Sequence, residues 1–394
     1  MWAALFKLPR TVWLIGLISL VNDSASDMVY PLVPLYLASV LMAGPRALGL
    51  IEGLAEATAA LLKLFSGVLV DRTRRARPWV MVGYGLAGFG RPLLALAGSW
   101  LWVLVIRLSD RIGKGLRTSP RDALLAGSVA AEHRGLAFGV QRALDNAGAV
   151  IGPLVAAAML GAGMPLQHVF AWALLPALIC LAMTFGLKEA PDGRPAPSSR
   201  SWRWRGLSPG FKRYLLVVAL FTLGNSSNMF LLLRARELGV AQAHVPLLWG
   251  LVSVVAMLGA APLSAWSDRV GRHRLLVGGY AAYGLVYQAL AWQARAGWSL
   301  WLLFALYGLF LAATEGVEKA LVADLAEPGQ QGTAYGWFNL ATGIMLLPAS
   351  WCFGWLYQGW SATAAFEFGA ACAGLSALLM AWWVPRPTPS SSTP

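Results

Sequence analysis

The chain has 394 residues, 58% of them hydrophobic and 12% charged, with a formal net charge of +13. An ordinary soluble domain carries about a quarter charged residues, so this composition excludes water as the main solvent. The basic excess does not require nucleic acid as a partner, because its residues collect at the junctions between apolar runs.

In chain order, apolar runs of the length needed to cross a hydrocarbon core predict six spans at roughly 12–40, 47–70, 78–98, 100–120, 135–160 and 166–187. Six more follow at roughly 213–235, 243–265, 275–294, 298–323, 333–356 and 361–384. Lys7, Pro9 and Arg10 precede the first span without a small-residue cleavage site, so the first helix is read as retained. Pro31 and Pro34 predict a kink in it. Between the sixth and seventh spans, Lys188 to Lys212 is rich in Pro, Ser, Arg and Trp and reads as a linker at the headgroup layer. The organisation read from this pattern is an N-terminal six-helix bundle (1–187), a cytoplasmic linker (188–212), a C-terminal six-helix bundle (213–384) and a disordered cytoplasmic tail (385–394).

Lys7, Arg10, Arg72, Arg74, Arg75, Arg77, Arg117, Arg121, Arg134, Arg269, Arg272 and Arg274 fall at alternate junctions, against only Arg46, Arg234, Arg236 and Arg295 at the others. This bias places both termini and the linker in the cytoplasm. Cys180, Cys352 and Cys372 lie far apart and suggest neither a disulfide framework nor a zinc site. His133, His168, His244 and His273 sit near loops and read as solvent-facing.

An internal repeat divides the chain into halves. Asn22-Asp23-Ser24 corresponds to Asn225-Ser226-Ser227, Gly67 to Arg77 corresponds to Ser264 to Arg274, and Arg121-Asp122 corresponds to Glu318-Lys319. In the last pair the charges are exchanged, which predicts attraction between facing elements. The stretch Gly67-Val-Leu-Val-Asp71-Arg72-Thr-Arg74-Arg75-Ala-Arg77 resembles the loop motif GxLxDRxGRR of the Major Facilitator Superfamily, with Arg74 where a second glycine is usual and Gly271 keeping that glycine in the repeat. Arg111-Ile-Gly-Lys114-Gly115 is similar to the family's RxxQG motif, and the run to Leu125 looks like a bacterial branch of it. Gly148-Ala-Val-Ile-Gly152-Pro153 resembles the fifth-span signature that marks proton antiporters in the family.

The resemblance implies an all-α integral membrane fold of twelve transmembrane helices in two pseudo-symmetric six-helix bundles, working by alternating access. It also implies that Gly67, Asp71, Arg72, Arg75, Asp268, Arg269, Gly271 and Arg272 gate the conformational change. Gly148, Gly152 and Pro153 would serve as a packing and hinge device, since small residues let helices approach closely.

An ionisable group at mid-membrane costs at least about 2.5 to 3.5 kcal/mol, so such residues need partners or water. Asp23 and Asp27 lie one helical turn apart beside Asn22, and Glu52, Glu56 and Lys63 share a face. Arg107, Arg111 and Lys114 form a stripe with Asp110, and Arg142 forms another with Asp145 and Asn146. The second half offers Asn225, Asn228, Glu315, Glu318 and Lys319. Arg91 and Glu367 are exceptions in spans that otherwise suit lipid. These residues predict a substrate and proton cavity between spans one, two, four and five and spans seven, eight, ten and eleven. A purely structural ion-pair network at Glu52, Glu56 and Lys63 is the competing reading.

The resulting expectation is a proton-coupled exporter of a small organic compound, in which protonation of Asp23, Asp27, Glu52 or Glu56 competes with substrate. The alternatives are import or symport of an anionic metabolite held by Arg107, Arg111, Lys114 and Arg142, export of a hard metal ion at Asn22, Asp23 and Asp27, and a non-transporting membrane sensor. No hydrolytic triad, HExxH or phosphate cradle is found, so neither an enzyme nor a cofactor is expected. The expected partners are a small-molecule substrate, protons or another coupling ion, and membrane lipid, with a monomer in the bacterial inner membrane.

Overall fold

Two prolines decide where the first span breaks in this computed structural model, which describes residues 8–73, 75–129, 134–188, 204, 207–326 and 331–385. The first span comprises α1 (Arg10–Val29), a 3-10 turn (Tyr30–Leu32) and α2 (Val33–Ser39). Pro31 and Pro34 lack the amide hydrogens that a continuous helix needs there, so the expected kink forms. The second span is α3 (Pro45–Thr73), and the third is α4 (Arg77–Gly90) extended by a 3-10 turn (Arg91–Leu96). The fourth is α5 (Trp100–Gly127), the fifth α6 (Arg134–Gly161), and the sixth α7 (Leu166–Trp172) with α8 (Leu174–Thr184).

The second half repeats this order. Its first span is again broken, into α9 (Pro209–Gly224) and α10 (Met229–Glu237), followed by α11 (Val245–Val270), α12 (Arg272–Trp292), α13 (Trp298–Leu325), α14 (Gln331–Gly359) and α15 (Ala362–Trp383). Among the described residues, nine of the twelve segments are long and apolar enough to cross a membrane on composition alone. The exceptions are α3, α5 and α12. Glu52 of α3 and Arg107, Asp110 and Arg111 of α5 are buried against protein, so the hydropathy of these helices understates their depth.

Two expectations are corrected. The fourth helix continues to Gly127, which places Arg117 and Arg121 inside it instead of at a junction. Arg117 is buried, with its guanidinium 4.6 Å from the Tyr84 ring centroid. His273 is not solvent-facing; it is buried, and its Nε2 lies 2.8 Å from the Met380 carbonyl. His168 and His244 are exposed, and His133 lies outside the described residues.

Small residues set the helix seams, as expected where lipid gives no hydrophobic drive for association. A Cβ on Gly148 would lie 2.5 Å from the Leu20 carbonyl oxygen, and one on Gly152 would lie 2.5 Å from that of Ser24, so α6 rests directly on the backbone of α1. Between the halves, α3 meets α14 through Gly49 against Ser350, Gly53 against Leu347, Gly354 against Pro45 and Gly343 against Ala60. At ~1.5 Å per residue this seam runs about 22 Å from Pro45 to Ala60. Arg46 fastens its outer end, its amide donating to Gln358 (3.1 Å) and its guanidinium lying 4.6 Å from the Trp355 centroid. The halves are thus closed at the end bearing the α2–α3 turn. A cavity lies toward the other end, where α1 begins.

Candidate substrate cavity and its charged wall

Two helices of the first half run parallel and present complementary charges at the same spacing. Glu52 and Glu56 lie one turn apart on α3, and Arg107 and Arg111 one turn apart on α5, so the two pairs form rungs of one ladder. Arg107 reaches Glu52 at 2.7 Å and Arg111 reaches Glu56 at 2.9 Å. Asp110, between the two arginines, is 3.8 Å from Arg107 and 3.7 Å from Arg111. It is held most closely by Arg91, which contacts it through Nε and Nη2, both at 2.9 Å.

Arg91 also donates to the backbone oxygen (3.1 Å) and side-chain oxygen (3.2 Å) of Asn22. The lattice crosses between halves, because the Ser227 hydroxyl donates to Glu52 (3.3 Å) and the Ser227 amide donates to the Ser350 hydroxyl (3.3 Å). All of its charged members except Glu56 are almost fully buried. In such a setting the attraction of a pair mainly offsets the cost of taking its charges out of water.

Beside this lattice lies a cavity of about 550 Å³, walled by α1, α3, α5 and α6 of one half and α11 and α13 of the other. Its floor is aromatic. The Trp249 indole donates to Asp27 (3.1 Å) and its ring lies 5.2 Å from that of Tyr30. Tyr30 in turn lies under Arg107, 5.6 Å from ring centroid to guanidinium. On the wall, Asn22 donates to Asp23 (2.6 Å), Gln141 donates to Asp145 (3.3 Å), and the Asp23 and Asp145 carboxyls lie close enough to repel each other when ionised.

At the mouth, Arg142 contacts Asp145 on its own helix (3.6 Å) and Glu315 of the other half (3.4 Å). Arg142 and Glu315 are more than half exposed, so this crossing pair is hydrated and weak. A second cavity of about 550 Å³ shares Arg121, Arg142, Glu315 and Lys319 with the first and adds Phe138, Met257 and Leu311.

The fold, the cavity between its halves and the repeat point to one family, and its sequence model matches residues 15–232 and 214–394. The chain belongs to the Major Facilitator Superfamily. It is a membrane transporter, not an enzyme. An uncharacterized MFS-type transporter of Methanocaldococcus jannaschii is 33% identical over 384 residues, covering 95% of each chain. The multidrug resistance protein MdtH of Photorhabdus laumondii is 25% identical over 343 residues, covering 84% of this chain and 82% of that protein. Among solved structures, the nucleoside transporter NupG superposes with a TM-score of 0.81 at 12% identity, covering 94% of this chain and 99% of that one.

Within this superfamily member, Asp23, Asp27, Glu56, Arg111, Lys114, Arg142, Asp145, Asn228 and Glu315 line the cavity. Asn22, Glu52, Arg107 and Asp110 belong to the buried lattice. Asn225 ends α9, and Glu318 turns into its own half, accepting from Tyr280 (2.8 Å). The attraction expected between Arg121-Asp122 and Glu318-Lys319 is therefore not made by Glu318; the crossing contact is Arg142 to Glu315. Arg121 stays with Asp122 (3.0 Å) and Asp145 (3.8 Å).

Gly67, Asp71 and Arg72 of the superfamily loop motif fall in α3, where their side chains lie outside the described residues, as does that of Asp268. Arg75 and Arg269 are exposed, Gly271 adopts φ 97°, and Arg272 pairs with Asp324 at 2.6 Å. Sequence reasoning missed Tyr30 and Trp249 on the floor and the inward reach of Arg91. Nothing in a tryptophan of an apolar helix marks it as a carboxylate partner.

Proposed function

We propose that this transporter exports a small organic compound in exchange for protons, and that Asp23 and Asp27 carry the proton. One observation carries the reading. Glu52, Glu56, Asp110 and Asp145 all lie within ion-pairing distance of an arginine, whereas Asp23 and Asp27 face the cavity with no ion pair among the described residues, each accepting from a neutral donor, Asn22 or the Trp249 indole. A carboxyl without an ion-pair partner at mid-membrane is the group whose charge a proton or a substrate can change.

The closeness of Asp145 to Asp23 supports the same role, since two carboxylates near each other repel when both are ionised. Protonating Asp27 also weakens its hold on the Trp249 indole, which ties proton loading to a contact between the halves. The resemblance of Gly148 to Pro153 to an antiporter signature and the similarity to a multidrug resistance protein support export. With the termini and residues 188–212 in the cytoplasm of a bacterial inner membrane, the cavity opens inward. The division into bundles over 1–187 and 213–384 belongs to the same proposal.

The test is transport in proteoliposomes under an imposed pH gradient, with cationic, neutral and anionic dyes. At least one dye accumulates against its gradient, and Asp27→Asn abolishes accumulation while sparing downhill exchange. Accumulation that survives collapse of the pH gradient by a protonophore rejects proton coupling.

A further inference from the structure

The basic residues of the cavity fall into two classes. Arg91, Arg111, Arg121 and Arg142 each have a carboxylate within ion-pairing distance. Lys63, Lys114, Lys319 and Arg117 line the same cavity, and among the described residues none of the four has one. Lys114 and Lys319 are close enough to repel the Lys63 ammonium, while Glu56, which attracts both Lys63 and Lys114, is already paired with Arg111, and Asp23 attracts Lys114 without forming an ion pair. Arg117 is 5% exposed, and its Nη1 has no hydrogen-bond partner although the residue is stacked on Tyr84.

Like charges facing one another at depth are unfavourable unless an anion comes between them. The bias of basic residues toward one membrane face accounts for Lys63 and Lys319 near the open end. It does not account for Lys114, which at ~1.5 Å per residue lies about 21 Å along α5 from Trp100. Lys319 also borders the second cavity, whose Phe138, Met257 and Leu311 supply an apolar wall beside the cationic cluster.

We infer that the transported compound is an amphiphilic organic anion. Its carboxylate or phosphate sits among Lys63, Lys114, Lys319 and Arg117, and its apolar body lies along Phe138, Met257 and Leu311. This inference names a substrate class for the site and rests on the transporter reading. It does not need proton coupling, since Asp23 and Asp27 act on Lys114 through space and form no ion pair with the cluster among the described residues.

The test uses probes that share one apolar body and differ in charge: 1-naphthoate, 1-naphthyl phosphate, naphthylmethylamine and naphthalenemethanol, added to the detergent-solubilised full chain. The two anions raise its melting temperature and the amine and alcohol do not. Each of Lys63→Gln, Lys114→Gln and Lys319→Gln weakens anion binding by about ten-fold, the loss of one charged hydrogen bond. These variants remove no ion pair, so their melting temperature without ligand stays near that of the native chain, and circular dichroism checks their fold. Stabilisation by the amine in preference to the anions, anion binding undiminished in the triple variant, or no stabilisation by either anion overturns the inference. Proton coupling is read separately in Asp27→Asn. Anion binding that persists there while gradient-driven uptake is lost supports both readings, and uptake indifferent to pH with lysine-dependent anion binding rejects proton coupling alone.

Discussion

Arg107 is 4% exposed and divides its guanidinium between Glu52 and Asp110, with Tyr30 stacked beneath. Removing one member of such a pair leaves its partner charged and unpaired in a low-dielectric setting, at a cost of about 3–5 kcal/mol. Arg107→Met alone is therefore expected to lower stability to chemical denaturation by that amount. The double variant Arg107→Met/Glu52→Met, which removes both charges, recovers more than half of the loss. Additive losses in the double variant would show that the pair is not coupled. The face-sharing of Glu52 with Glu56 and of Arg107 with Arg111 was legible from helical spacing. The partner of Arg91 was not, because it sits in a span that otherwise suits lipid, and only the 3-10 turn at its end aims the side chain at Asp110.

At the scale of the elements, α6 shows how small residues place a helix. Gly148 and Gly152 meet the α1 backbone, whereas Gly139 of the same helix has open space where a Cβ would go. Gly152→Leu is expected to push α6 off α1, a change of about 1–3 kcal/mol or more from overpacking. Gly139→Leu is expected to be tolerated. Comparing the melting temperatures of the two variants checks this, and equal losses would contradict the packing role of Gly152. Helix ends were the hardest feature to read. Hydropathy placed the end of the fourth span near residue 120, because a helix charged along a wet cavity and a solvated loop have the same composition. The kink of the first span was readable, since Pro31 and Pro34 act locally.

At the scale of the whole molecule, the α3–α14 seam closes one end while the cavity lies toward the other. The glycine contacts along that seam are the ones a rocking motion must break. Twelve spans in two halves could be read from apolar runs and an internal repeat, but which end is shut depends on tertiary contacts such as Gly354 against Pro45, where a Cβ would lie 2.5 Å from a carbonyl oxygen. Gly354→Val should therefore bias the protein away from the closed-end state. Spin labels at Ser39 and Ala241, which flank the closed end on opposite halves, report the motion by double electron–electron resonance. The native chain should give a short distance and a longer one whose proportions change with pH, and Gly354→Val should enrich the longer. A single distance, unchanged by pH and by Gly354→Val, would contradict alternating access around this cavity.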